Sequence, residues 1–168
     1  FLSRPKRKLN SIPEVLTTFA DISLNQQWAG QRDSHLSLEE ALEKAQQNAI
    51  NNGVDILWKK MNILAETPDF IDIIVSNPPY ICHREKADMD TRVLDYEPHT
   101  ALFVPDNDPL LFYRRIASMK SAKIIYFEIN EAYGNEVCKM MKDLGYTDVQ
   151  LKHDIYGKAR MVYGRIEA

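Results

Sequence analysis

An apolar run at residues 70–75, followed after Ser76 by the tetrapeptide Asn77-Pro-Pro-Tyr80, constrains the fold of this 168-residue chain more than any other segment. The run reads Phe-Ile-Asp-Ile-Ile-Val, with Asp72 as its only charged residue. A β-branched run of this kind is typical of a strand that is buried on both faces of a parallel sheet. Pro78 and Pro79 have no backbone N–H and cannot continue a strand ladder, so we predict that the strand stops here.

The rest of the chain alternates between strand-like and helix-like patterns. We predict strands at residues 14–20, 54–57 and 123–129, and helices at 37–53, 109–119 and 133–144. A closing hairpin is predicted from strands 149–153 and 160–164, and loops are predicted at 24–36 and 83–108. The basic cluster 4–8 is predicted to be an exposed helix end. Such alternation indicates an α/β sheet with crossover helices, whose ligands bind beyond the carboxyl ends of the strands. Asp21 and Asn77 both follow a predicted strand end, which places them on one rim.

Composition indicates a single globular domain. Hydrophobic residues make up 45% of the chain and charged residues 27%. The net charge of −3 argues against binding nucleic acid through a broad basic surface. Cys82 and Cys138 form no Cys-x-x-Cys pair, so we expect a reduced protein. Neither a signal peptide nor an apolar run of about 18 residues is visible, so we expect a cytoplasmic protein that does not span a membrane. The chain begins at Phe1, and we expect it to be a fragment.

The tetrapeptide fits the methylation of a planar N–H group. An amide nitrogen is a poor nucleophile because its lone pair is delocalised into the carbonyl. Two acceptors in fixed positions, the side-chain oxygen of Asn77 and the carbonyl of Pro78, could hold both N–H bonds and turn the lone pair toward an electrophile. Pro79 stiffens the turn, and Tyr80 can lie against the flat face of the target group. Alignment of this kind can lower a barrier by roughly 7–11 kcal/mol in the best-oriented reactions.

Several segments accompany the tetrapeptide in a fixed order. They are residues 72–81 (Asp-Ile-Ile-Val-Ser-Asn-Pro-Pro-Tyr-Ile), 96–98 (Tyr-Glu-Pro), 101–103 (Ala-Leu-Phe), 108–114 (Asp-Pro-Leu-Leu-Phe-Tyr-Arg), 127–129 (Phe-Glu-Ile) and 154–160 (Asp-Ile-Tyr-Gly-Lys-Ala-Arg). Together they resemble the HemK/PrmC family of release factor glutamine methyltransferases, over residues 12–165 apart from one insertion. The tetrapeptide alone is shared with adenine-specific methyltransferases of nucleic acids, whereas the Tyr-Glu-Pro and Ala-Leu-Phe segments are more particular to this family.

The resemblance implies a Rossmann-like methyltransferase fold that binds S-adenosylmethionine, with residues 1–168 forming part of the catalytic domain. Its implied partner is a peptide chain release factor, and its implied substrate is the glutamine of the Gly-Gly-Gln loop. By match of motif, Asn77, Pro78, Pro79 and Tyr80 would hold that glutamine, and Asn77 would also lie near the methyl donor. We expect a monomer without direct contact to nucleic acid.

Three further residues are candidates for cofactor binding. Asp21 fits the acid that accepts hydrogen bonds from a cofactor ribose. Asn62 falls where the family usually carries an aspartate facing the adenine amine, and Ile63 could pack on the adenine ring. Glu97 could brace the substrate loop or be an exposed acid before a proline, and Glu128 has no assigned role. The four histidines lack the spacing of a metal site.

The chain departs from the family pattern near its start. A Rossmann-like site needs a glycine-rich turn about 20 residues before the ribose acid, and counting back from Asp21 reaches Phe1. The six glycines form no Gly-x-Gly. We therefore expect the first strand, its glycine loop and the family's N-terminal helical domain to be missing. Residues 24–36 look inserted and residues 118–123 look short. We expect this chain alone to be inactive and to show no micromolar binding in calorimetric titration with S-adenosylmethionine.

Two other functions stay open from the sequence. The exocyclic amine of adenine in DNA or RNA presents the same planar N–H group and would have to be flipped into the site. The chain could also be a binding module that kept the fold and lost catalysis.

Overall fold

The computed structural model describes residues 2–5, 15–19, 38–89 and 99–166 of the chain. Along these ranges the elements are β1 (Leu2–Pro5), β2 (Val15–Phe19), α1 (Leu38–Asn51), β3 (Ile56–Lys59), β4 (Ile71–Asn77), β5 (Ile81–Cys82), a 3-10 turn (His83–Asp88), α2 (His99–Leu102), β6 (Phe103–Val104), α3 (Leu111–Met119), β7 (Ala122–Glu128), a 3-10 turn (Glu131–Tyr133), α4 (Gly134–Asp143), β8 (Thr147–His153) and β9 (Ala159–Arg165). The predicted loop at 24–36 lies outside the described residues.

Seven strands form one mixed sheet in the order β3-β1-β2-β4-β7-β9-β8. Its centre is parallel, because β4 pairs in parallel with both β2 and β7. The predicted closing hairpin is confirmed: β8 and β9 are antiparallel, and β9 also pairs antiparallel with β7. The α/β class predicted from the sequence is confirmed, with a parallel centre and antiparallel flanking strands.

One strand of the seven-stranded sheet was not predicted. The basic cluster at residues 4–8 was expected to be a helix end, and this was wrong for the part that the structure describes, since Leu2–Pro5 is strand β1. It lies between β2 and β3 and pairs antiparallel with both. Its partner strands lie at residues 15–19 and 56–59, well separated from it in the sequence. A four-residue segment that becomes a strand through such distant pairing carries no periodic pattern of its own. Residues 6–8 lie outside the described ranges.

The long loop predicted at 83–108 is partly ordered. It contains a 3-10 turn, helix α2 and strand β6, which pairs in parallel with β5 to form a separate two-stranded sheet. Residues 90–98, which include Glu97, lie outside the described part. The two short strands fix the chain that follows the Asn-Pro-Pro-Tyr turn.

The core lies between the central strands and helices α3 and α4. Ile74, Ile125, Phe127 and Val162 of the sheet are fully buried. The helices bury Phe112, Tyr113, Ile116, Ala117, Val137 and Met141 against them. Full burial of one such side chain contributes about 1.5–3 kcal/mol, so these contacts fix the positions of β4 and β7. Among the described residues, no helix has the length and apolar composition needed to cross a membrane.

Candidate functional site

The carboxyl ends of β4 and β7 lie side by side. These strands are parallel neighbours, and Ser76 pairs with Phe127 just before the two ends. The next residues, Asn77 and Glu128, are both exposed. Because ligands of parallel sheets bind at this edge, the packing of β4 and β7 presents both side chains where a substrate would lie.

The turn after β4 offers two hydrogen-bond acceptors. Asn77 is exposed, whereas Pro78 and Pro79 are buried. Within the described ranges, neither the side chain of Asn77 nor the carbonyl of Pro78 has a hydrogen-bond partner. Two oxygen acceptors at a strand end, without a partner among the described residues, can accept the two N–H bonds of a planar NH₂ group.

Tyr80 connects the turn to the end of β7. Its hydroxyl donates a hydrogen bond to Oε1 of Glu128 at 3.2 Å. Burial, followed by the negative charge of Glu128, raises the pKa of Tyr80 to about 12, and the nearby Arg160 opposes this shift. The phenol is therefore neutral and acts as a donor at physiological pH. Sequence reasoning left Glu128 unassigned, and the structure places it beside the turn.

Removing the hydroxyl of Tyr80 tests this contact. For the methyl transfer that the motif resemblance implies for the complete protein, we expect Tyr80→Phe to lower kcat about fivefold, because a hydrogen bond of this kind contributes about 1 kcal/mol. The folded-state pKa of Tyr80 lies above the usual value of 10, so folding favours the neutral phenol. The contribution of Tyr80 to folding stability is therefore present below pH 10 and is lost as pH rises toward about 12. Spectrophotometric titration of the folded protein should show one late-titrating phenol fewer in the variant. If the phenol that disappears in the variant is instead one that titrates near pH 10, the contact is contradicted.

Two residues that the sequence did not single out hold the chain after the turn. Nδ2 of Asn130 donates to the carbonyl of Tyr80 at 3.3 Å and to Oε2 of Glu85 at 3.0 Å. Oε1 of Glu85 accepts the backbone N–H of Cys82 at 2.9 Å. Two weak signals existed in the sequence: Asn130 follows a strand end, and Glu85 stands three residues after Cys82, the spacing of a capping box.

A cavity of about 610 Å³ lies beside Tyr80. Its lining includes Tyr80, Ile81, Glu85, Asn130, Lys158 and Arg160, but not Asn77 or Pro78. Two of its cations are held by ion pairs, Lys158 with Glu131 at 3.1 Å and Arg160 with Asp154 at 3.0 Å. Asp154 also accepts the backbone N–H of Lys158, and this bond, followed by that of Arg160, keeps its pKa below the usual value. The lining of this cavity is therefore largely polar and carries both signs of charge.

The candidate cofactor residues differ in how much of each side chain is available to a ligand. Oδ1 of Asn62 accepts the backbone N–H of Leu64 at 3.0 Å, in a local turn that also ties the N–H of Asn62 to Glu66. An amide oxygen has two lone pairs, so Asn62 keeps one acceptor position for an amine. Ile63 is only 6% exposed, which leaves little surface for a ring. Asp21 lies outside the described residues, and all three cofactor roles stay predictions.

Comparison with known proteins identifies sequence relatives named release factor glutamine methyltransferases. No protein-family model matches the chain. A release factor glutamine methyltransferase of Flavobacterium psychrophilum is 46% identical over 132 residues, which cover 74% of this chain and 46% of the relative. One from Bacteroides thetaiotaomicron is 42% identical over 132 residues, 74% of this chain and 48% of the relative. The chain therefore spans about half the length of the curated relatives it matches.

A solved structure, a release factor-specific protein-(glutamine-N5) methyltransferase from Alicyclobacillus acidocaldarius, covers 79% of this chain and 64% of its own. At 19% identity and a TM-score of 0.37, it supports no conclusion of its own.

Fold, turn and sequence relatives together define the class of this chain. An α/β sheet with a parallel centre, a C-terminal antiparallel hairpin and an Asn-Pro-Pro-Tyr turn at the carboxyl edge is a Rossmann-like methyltransferase fold. Within that class, the chain resembles the release factor glutamine methyltransferase family, HemK/PrmC, over 74% of its length. The resemblance stated from the sequence motifs is confirmed.

Proposed function

We propose that the complete protein methylates the side-chain amide nitrogen of the glutamine in the Gly-Gly-Gln motif of a peptide chain release factor, with S-adenosylmethionine as methyl donor. The observation that carries this proposal is the pair of acceptors at the end of β4. The side-chain oxygen of Asn77 and the carbonyl of Pro78 have no partner within the described residues. The names of the sequence relatives support the choice of a release factor as substrate.

The turn makes the amide nitrogen a better nucleophile by alignment. Asn77 Oδ1 and the Pro78 carbonyl each accept one N–H, which fixes the plane of the NH₂ group and favours localisation of the lone pair on nitrogen. Pro79 stiffens the turn, and the neutral Tyr80, held by Glu128, packs against the flat group and excludes water. The proton that leaves the nitrogen is one of the two that these acceptors bind, and it passes to solvent. S-adenosylmethionine supplies, when bound, a methyl group that is electrophilic because it is attached to a sulfonium.

We also assign cofactor binding to four residues. Asp21 would accept the ribose hydroxyls, Asn62 would accept the adenine amine, Ile63 would border the ring, and Asn77 would lie near the methyl group. Two vicinal hydroxyls suit a carboxylate, which can accept both at once.

We further propose that residues 1–168 are part of the catalytic domain and that a separate N-terminal helical domain binds the release factor. The release factor is then the protein partner, and the protein acts in the cytoplasm as a monomer without direct contact to nucleic acid.

The proposal is tested by offering competing substrates to the complete gene product. Radiolabelled S-adenosylmethionine is supplied with a release factor, with the same factor carrying Gln→Asn in its Gly-Gly-Gln motif, or with adenine-containing DNA or RNA. We expect label on the first only. Label on nucleic acid would identify the adenine methyltransferase instead, and cofactor binding without transfer to any substrate would identify a binding module.

A further inference from the structure

Among the residues that the structure describes, few hydrogen bonds hold the Asn-Pro-Pro-Tyr turn in place. Pro78 and Pro79 lack an N–H, so the turn offers no amide donor at its two central positions. Two backbone groups that follow, the carbonyl of Tyr80 and the N–H of Cys82, are bound by side chains from elsewhere in the chain. The position of the turn therefore depends on those side chains.

Glu85 and Asn130 together bind the carbonyl of Tyr80 and the N–H of Cys82. Asn130 donates through Nδ2 to the Tyr80 carbonyl at 3.3 Å and to Oε2 of Glu85 at 3.0 Å, while Oε1 of Glu85 accepts the Cys82 N–H at 2.9 Å. We call this pair the Glu85–Asn130 clamp. It ties the chain on the far side of the two prolines to the end of β7.

Only an amide can fill the place of Asn130. The residue is 8% exposed, and its Oδ1 accepts the N–H of Ala132 at 3.0 Å. Its two N–H bonds are directed to Tyr80 and Glu85, so both donors of the amide are used. A carboxylate of the same shape would keep the bond from Ala132 and lose both donors. It would also face the carboxylate of Glu85.

We infer that Glu85 and Asn130 are positioning residues for the methyl transfer: they set the place of the turn that holds the target amide and contact no substrate themselves. The inference rests on the proposed function. Displacement of an aligned group by about 1 Å can cost about 100-fold in rate. Other contacts keep this segment folded without the clamp, because β5 pairs with β6 and the N–H of Arg84 donates to Asp106 at 2.9 Å.

The first test exchanges the amide for a carboxylate. We expect Asn130→Asp to lower kcat for release factor methylation about 10- to 100-fold and to change KM by less than about threefold, because the clamp affects alignment and not affinity. Asp143→Asn is the control, since Asp143 forms an exposed ion pair with Lys139 on helix α4. An unchanged kcat in Asn130→Asp would overturn the inference.

The double variant Glu85→Gln/Asn130→Asp separates positioning from stability. The new glutamine side chain can donate to the new carboxylate and still accept the Cys82 N–H, so the pair is restored with its polarity reversed. The Tyr80 carbonyl stays without a donor. We expect the thermal midpoint of the double variant to lie within a few degrees of the wild-type value. Its kcat should stay at least about fivefold below that of the wild type. Joint recovery of stability and kcat would show that the pair acts only through stability, and would overturn the inference.

Amide hydrogen exchange gives a readout that does not depend on activity. We expect the N–H of Cys82 to exchange about tenfold faster in Asn130→Asp, with no change for α4 amides or in Asp143→Asn. If the wild-type protein methylates no release factor, the proposed function fails, and this measurement still decides whether the clamp holds the turn. Unchanged exchange at Cys82 would overturn the inference in that case as well.

Discussion

Replacing Asn77 with alanine is expected to lower kcat for glutamine methylation about 10²- to 10³-fold and to leave the fold intact. The effect is large because the side-chain oxygen is one of two acceptors that align the target nitrogen, and removal of one preorganised polar group in an active site costs about 2.7–4 kcal/mol. Stability should change by less than about 0.5 kcal/mol, since Asn77 is exposed and its side chain has no partner within the described residues. Single-turnover kinetics with a release factor measure the loss.

The matched control is Asn52→Ala. Asn52 is also an exposed asparagine, but its side chain bonds the carbonyl of Asn48 at the end of α1, away from the strand ends. It should retain wild-type kcat. Asn77→Asp is also expected to be slow, although it keeps an acceptor, because its charge changes the electrostatics next to a cationic donor. Wild-type kcat in Asn77→Ala would remove Asn77 from the mechanism.

Phe127→Ala is expected to destabilise the protein by about 3–5 kcal/mol. Phe127 is fully buried, and its ring contacts that of Tyr113 edge-to-face with centroids 5.2 Å apart. The loss is a large share of the roughly 5–15 kcal/mol that typically stabilises a domain. Because Phe127 directly precedes Glu128 in β7, the void left by the missing ring would also loosen the strand end beside the turn. Urea denaturation measures the change in free energy of unfolding.

Phe127→Leu provides the comparison for that variant. It keeps most of the apolar volume and should cost less than about 2 kcal/mol, with the difference from alanine reporting the packing of the ring. Equal stability of the two variants would mean that the site collapses around the smaller side chain and that the contact with Tyr113 contributes little.

The parallel centre of the sheet was predictable because its strands carry their signal locally. The run at 70–75 and the run at 123–129 are apolar and β-branched, and they form the adjacent strands β4 and β7. Gly145 directly follows the helix predicted at residues 133–144, and the structure places it at φ +89, a conformation that glycine adopts without strain. Strand β1 could not be predicted in this way, since Leu2–Pro5 becomes a strand through pairing with β2 and β3.

The candidate site was predictable only where chemistry and local sequence coincide. Asn77, Pro78, Pro79 and Tyr80 form one contiguous tetrapeptide after a strand, so their pattern is visible in the sequence alone. Glu85 and Asn130 are separated by 45 residues and meet only in the fold, and no periodic pattern brings them together. The contact between Tyr80 and Glu128 likewise depends on the packing of β4 beside β7.

A structure of the complete protein with a Gly-Gly-Gln peptide and an unreactive analogue of the methyl donor tests the central claim most directly. The account predicts that the target amide nitrogen lies within about 3.2 Å of both Asn77 Oδ1 and the Pro78 carbonyl oxygen. It would be contradicted if the glutamine nitrogen bound elsewhere, or if these two oxygens were occupied by donors of the protein itself.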